Sequence, residues 1–166
     1  MLDWMKTAPT LAQDPVSGFD PDAVTVSETV EINAPAKVVW DVICDMPRYN
    51  EWNPFITQCK AELQPGTPII MQVNMGPFEL EQTEQVTQVE HEKLFEYRMR
   101  PVGRWLYSKR QHRLEVLGAG ECRYTSYFEL RGWLSPIVTL CMGLFLWRGF
   151  RRMTNAVKTR AETISP

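Results

Sequence analysis

The chain has 166 residues, a size that suits one domain with a substantial core. Its apolar fraction of 44% and charged fraction of 23% are ordinary for a soluble globular protein, which excludes a wholly disordered chain and a polytopic membrane protein. With 18 basic against 20 acidic side chains it has no net field for holding a polyanion, so nucleic acid is not an expected partner.

Residues 1–23 contain four acidic residues, three prolines and no sustained periodicity, and are expected to form an arm, with Trp4 as its one candidate anchor. The start of the chain, MLDWMKTAP, lacks the basic-then-apolar order of a secretory signal. Cys44, Cys59, Cys122 and Cys141 are scattered with no CxxC pair, so free thiols and a reducing cytoplasm are expected.

In VTVSETVEIN, Val24, Val26, Val30 and Ile32 share one parity, the mark of a half-buried strand. Glu28 falls on that apolar parity, either as a pocket-lining carboxylate or as an edge position returned to water. Pro35, after a candidate Asn33 cap, opens a helix carrying Val38, Val39, Val42, Ile43 and Met46 on one face. Pro47 interrupts it, and a second short helical turn ends before Pro54. Trp40, Tyr49, Trp52 and Phe55 concentrate here, so this connector is expected to pack over one end of a sheet.

Six further strands follow, broken by turn signals at Pro65-Gly66, Gly76-Pro77, His91-Glu92, Pro101 and Gly118 to Gly120. Connections this short leave no room for crossover helices, so the strands are expected to pair antiparallel. A turn centred near residue 119 would set His112 opposite Ser126 and Lys109 opposite Glu129.

After Pro136 a long helical tract carries Met142, Leu146, Phe150, Met153 and Val157 as one seam. Its first half also spreads Ile137, Val138, Leu140, Cys141, Leu144, Phe145 and Trp147 nearly round the axis. That apolar block is too short to span a membrane. It predicts burial on several sides or contact with a partner, either a second copy of the chain or a membrane surface approached by Arg148, Arg151 and Arg152 through residues 137–147.

A helix over a curved sheet leaves a concave face to fill, and Met, Phe, Leu and Trp can form either an adaptable apolar pocket or a packed core. With two histidines there is no HExxH or multi-histidine metal site, and the nucleotide-binding glycine motifs are absent, so no metal or cofactor is expected. Tyr97, Tyr107, Tyr124 and Tyr127 could donate hydrogen bonds to an oxygenated ligand, or simply pack. His112, Tyr127 and Glu129 are the candidates for proton transfer should there be a reaction, although the hairpin register does not pair His112 with Glu129.

The stretch VEINAPAKVVWDVICDMPRYNEWNPFI at residues 30–56, then HRLEVLGAGECRYTSYFELRGWLSP at 112–136, then the long terminal helix, resemble the START-like, Bet v 1-like superfamily. The likeness is to its polyketide cyclase/dehydrase and lipid-transport group and covers residues 24–162, leaving 163–166 as a tail. It implies an α+β helix-grip fold: a curved seven-stranded antiparallel sheet around the C-terminal helix, two short helices after the first strand, and a pocket between sheet and helix. Glu28, Trp52, Phe55, Tyr97, Met142, Leu146 and Phe150 are then candidate pocket residues, with Trp52-Asn53-Pro54 as a corner at its end. The resemblance implies a small hydrophobic ligand and identifies a container better than a reaction. A carrier or sensor is the preferred reading. The alternatives are a cyclase or dehydratase acting on a hydrophobic oxygenated substrate, and a module that presents its apolar helix to a protein or membrane.

Overall fold

A computed structural model describes residues 23–99 and 105–165. The expected arm lies almost wholly outside them. Strand β1 (Ala23–Ile32) leads into α1 (Ala36–Cys44), a 3₁₀ turn (Met46–Arg48) and α2 (Tyr49–Trp52). Then come β2 (Ile56–Ala61), β3 (Pro68–Asn74), β4 (Glu79–Glu90), β5 (Leu94–Met99), β6 (Tyr107–Gly118), β7 (Glu121–Arg131) and the terminal α3 (Ser135–Ile164). The seven strands form one sheet in the order β1-β7-β6-β5-β4-β3-β2, with every neighbouring pair antiparallel. This is the helix-grip fold, a curved sheet around a long C-terminal helix. Register shifts between Ile56 and Gln58, Val86 and Gln88, and Val116 and Gly118 add local bend and twist.

Alternation assigns the sheet's two faces. In β6 and β7 the even residues Arg110, His112, Leu114, Tyr124, Phe128 and Leu130 point to the concave side and are buried, while Lys109, Tyr127, Glu129 and Arg131 share the convex side. The hairpin register is the expected one, with His112 opposite Ser126 and Lys109 opposite Glu129.

The two halves of α3 sit differently. Met153, Val157 and Ala161 are wholly buried, and a buried side chain of the size of Met or Val contributes about 1.5–3 kcal/mol. Glu162 accepts a hydrogen bond from the Asn33 backbone N–H at 2.9 Å, and Arg160 reaches Glu51 at 2.8 Å, tying this half to the connectors around α1 and α2. Asn33 is therefore a docking point for α3 and not the cap of α1, whose cap position is Pro35 without a side-chain bond. In the first half, by contrast, Ile137, Leu140, Leu144, Phe145 and Trp147 are exposed, Leu140 at 88%. The expected burial on several sides does not occur, because this half meets the sheet along one narrow stripe. The helix runs to Ile164, past the expected end of the domain at 162.

Candidate functional site

Between that first half of α3 and the concave face lies a cavity of about 240 Å³. Its roof is Val138, Met142, Leu146 and Phe150, spaced four apart so that one residue per turn points down. Phe55, from the connector into β2, closes one end, its ring edge-on to Phe150 at 4.9 Å. Met71 and Val73 of β3, Tyr97 and Met99 of β5, and Phe128 and Leu130 of β7 supply floor and walls. This lining is mostly apolar, as small-molecule sites are, and the volume falls just below their usual range of about 300–1,000 Å³.

Four polar side chains interrupt it: Gln82 and Glu84 of β4, and Ser108 and Arg110 of β6. Arg110 is 2% exposed and lies over the Phe150 ring, its guanidinium carbon 4.4 Å from the ring centre. Nη2 makes a weak contact with the Met153 sulfur at 3.9 Å, while Nε and Nη1 have no hydrogen-bond partner. Glu84 is also buried. Its Oε1 accepts from Gln82 at 3.2 Å and, at a long 3.5 Å, from Ser108, and its Oε2 is unpartnered. Burial pushes the Glu84 carboxyl up to about 7, and the hydrogen bonds from Gln82 and Ser108 and the charge of Arg110 only partly oppose the rise. Near neutrality it can therefore either donate or accept a proton.

His112 lies beyond the cavity lining, stacked between Phe95 (5.8 Å) and Tyr124 (6.0 Å). Its Nδ1 and the Tyr124 hydroxyl are 2.7 Å apart. Burial, helped by the Arg110 charge, holds its pKa well below the usual histidine range, so it is neutral at pH 7.

Phe55, Tyr97, Met142, Leu146 and Phe150 are on the cavity wall; Glu28 and Trp52 are not. Glu28 is half-buried on the edge strand β1, opposite Ser126. Trp52 packs edge-on against Tyr49 at 5.0 Å. The corner beside it is made by Asn53, whose Oδ1 accepts the backbone N–H groups of Phe55 and Ile56 at 3.0 and 2.9 Å. His112, Tyr127 and Glu129 are not brought together. Tyr127 donates to Glu129 at 2.5 Å on the convex face, where Arg131 also donates to Glu129 at 2.6 Å, and His112 is on the concave one. Burial alone would raise the Glu129 pKa, but the hydrogen bonds from Arg131 and Tyr127 and the charges of Lys109 and Arg131 outweigh it and hold it below the usual carboxylate range. Among the described residues no group of three His, Cys, Asp or Glu side chains could hold a metal ion.

The polar patch of Glu84, Ser108 and Arg110 escaped the reading by motif. The signal was present in parity: Arg110 shares the apolar side of β6 with Leu114, and Glu84 that of β4 with Val86. A lone charge on an apolar parity is the same cue that singled out Glu28, which the fold places at an edge.

Residues 23–162 match the family described as polyketide cyclase / dehydrase and lipid transport. The chain belongs to this family. Membership places it among proteins of ligand-binding or cyclase-like function, while no curated protein matches it in sequence. The Zhui aromatase/cyclase from Streptomyces sp. R1128 superposes with a TM-score of 0.70 at 17% identity, over 84% of this chain and 94% of that one. A START superfamily protein from Mycobacterium smegmatis gives 0.66 at 19%, over 85% and 99%. Norcoclaurine synthase from Thalictrum flavum, solved with dopamine and hydroxybenzaldehyde, gives 0.65 at 17%, over 87% and 89%. At these identities the likenesses establish a shared fold for this member of the family, and nothing about its ligand.

Proposed function

We propose that this family member binds or carries a small hydrophobic, lipid-like molecule in the cavity beneath the first half of α3. The observation that carries the reading is the apolar enclosure itself, roofed by Val138, Met142, Leu146 and Phe150 on a helix half that the sheet does not otherwise bury. Binding of this kind needs no fixed reactive pair. A cyclase or dehydratase would need acid and base groups converging on the ligand; His112, Tyr127 and Glu129 do not converge, and Glu84, the carboxyl that does line the cavity, is hydrogen-bonded to Gln82 and Ser108 and to no second acid or base. Native mass spectrometry of gently purified protein, followed by extraction of any retained molecule, tests the reading. A stoichiometric hydrophobic adduct supports it. Failure to bind any of a panel of hydrophobic probes, added at saturating concentration, counts against it.

A second role is favoured by the outer side of the same helix half. Ile137, Leu140 and Leu144 form an exposed stripe that continues, one turn on, into Arg148 and Arg151, and Trp133 is 74% exposed at the helix start. An apolar stripe followed by arginines suits an anionic bilayer, with the leucines among the acyl chains and the guanidiniums at the headgroups. No helix among the described residues is long and apolar enough to cross a membrane, so such contact would be peripheral. Sedimentation with phosphatidylglycerol vesicles, but not with phosphatidylcholine vesicles, is expected, and Leu140→Asp should abolish it. A stable dimer in solution that Leu140→Asp dissociates would instead assign the stripe to a second copy of the chain.

A further inference from the structure

The cavity wall contains a charge that no carboxylate pairs with directly, since Glu84 feels the Arg110 charge but accepts no hydrogen bond from it. Arg110 is 2% exposed and stands against the Phe150 ring, the Met153 sulfur and the Tyr124 hydroxyl, yet its Nε and Nη1 have no hydrogen-bond partner. A guanidinium keeps its proton in proteins, and burying its donors unpaired is unfavourable, so the two unsatisfied nitrogens call for an acceptor from elsewhere. Glu84 is the nearby carboxyl, but Arg110 donates no hydrogen bond to it, and its own Oε2 is unsatisfied on the same wall. Ser108 lies beside both, with its hydroxyl 3.5 Å from Glu84 Oε1. With Gln82, which donates to Glu84 at 3.2 Å, these groups form one polar patch in a wall that is otherwise mostly apolar.

Resting on the proposed role as a container, we infer that the ligand is an amphipathic acid whose carboxylate is held by Arg110, with Glu84 and Ser108 beside it and its apolar body under Met142 and Leu146. Burial away from water strengthens such a charge-assisted bond and makes it selective, because a ligand that cannot accept it leaves the guanidinium unpaired. Arg110 is thus a specificity-determining residue. Neutral lipids of similar size would lose the anchor while keeping the apolar contacts.

The test compares decanoic acid with 1-decanol at about pH 6, where the acid is ionised while Glu84 still holds its proton, measured by calorimetry on the full chain. Wild type is expected to prefer the acid by about tenfold or more, the size of one hydrogen bond to a charged group. In Arg110→Met the acid should weaken to the level of the alcohol, with the alcohol's affinity unchanged or improved. Arg110→Lys, which keeps a cation, should retain a reduced preference and covers the case in which Arg110→Met does not fold. Equal binding of acid and alcohol to wild type would overturn the inference and leave the container reading intact, as would an equal loss of both ligands in Arg110→Met. If neither probe nor any other hydrophobic molecule binds wild type, the container reading itself fails.

Discussion

Arg110 and Glu84 occupy positions where a sheet protein ordinarily places valine or leucine, and each stays chemically distinctive because the surroundings are dry. For Glu84 this links folding to pH. Its pKa rises from 4.5 in the unfolded chain to about 7 in the folded one, so the native state binds the extra proton. Its contribution is fully present below the unfolded pKa of 4.5 and is lost as pH rises through about 7. The loss is of order 3 kcal/mol at most, from roughly 1.4 kcal/mol per unit. Glu84→Gln should therefore flatten the fall in stability between pH 5 and 7 and leave the variant more stable than wild type at pH 8, as read by urea denaturation across that range. A variant whose stability tracks wild type at every pH would show that the carboxyl is not buried as described. Cys44 and Cys59 are pushed up to about 12 by burial, which makes them inert packing groups at physiological pH.

Among the elements, α3 does two jobs with its two halves, and Gly149 sits where they meet. A β-carbon at this position would stand 2.2 Å from the Phe55 ring, so the helix approaches the connector before β2 as closely as it does only because residue 149 has no side chain. Phe55 in turn closes the cavity. Gly149→Ala is expected to destabilise the fold by about 1–3 kcal/mol through overpacking, and to weaken ligand binding as well, since either the ring or the helix must shift. Thermal denaturation and a binding titration on the same variant check both effects. Unchanged stability would mean that the helix rides further from the sheet. A different constraint acts at the start of α3. Gly132 has φ +110, and a β-carbon there would lie 2.4 Å from the Trp105 carbonyl oxygen, so the turn out of β7 accepts no other residue without rearrangement. The Asn53 side chain provides the matching fixed corner at the far end, where it holds the Phe55 and Ile56 amides.

At the scale of the whole molecule, the fold combines a well-packed half, α1 with the C-terminal turns of α3, and an under-packed half around the cavity. A ligand that fills the second half binds only the folded state. At a concentration about 100-fold above its Kd it should stabilise the protein by roughly 2.7 kcal/mol. For a chain of this size that is an upward shift in Tm of roughly 5–10 °C. A thermal-shift series with decanoic acid checks this, and an unchanged Tm at the highest concentration would mean that decanoic acid does not bind the folded state in preference to the unfolded chain.

Much of this architecture was legible in the chain because it follows from local rules. Period-two alternation marked the strands, the four-residue seam marked the inner face of α3, and turn residues at Gly118 to Gly120 fixed the β6–β7 register, which already kept His112 and Glu129 from pairing. The family resemblance, and no local rule, implied a corner at Trp52-Asn53-Pro54, and hydrogen bonding assigns that work to Asn53 while Trp52 stays off the cavity. Tertiary structure alone decided whether Met142, Leu146 and Phe150 would close on the sheet or leave a space, since that depends on the distance at which Phe55 and Gly149 hold the helix. It also decided that Glu28 lies at an edge while Arg110 lies in the interior. Parity tells which face a side chain takes; only the packing of distant elements decides whether that face meets water, another side chain or an empty cavity.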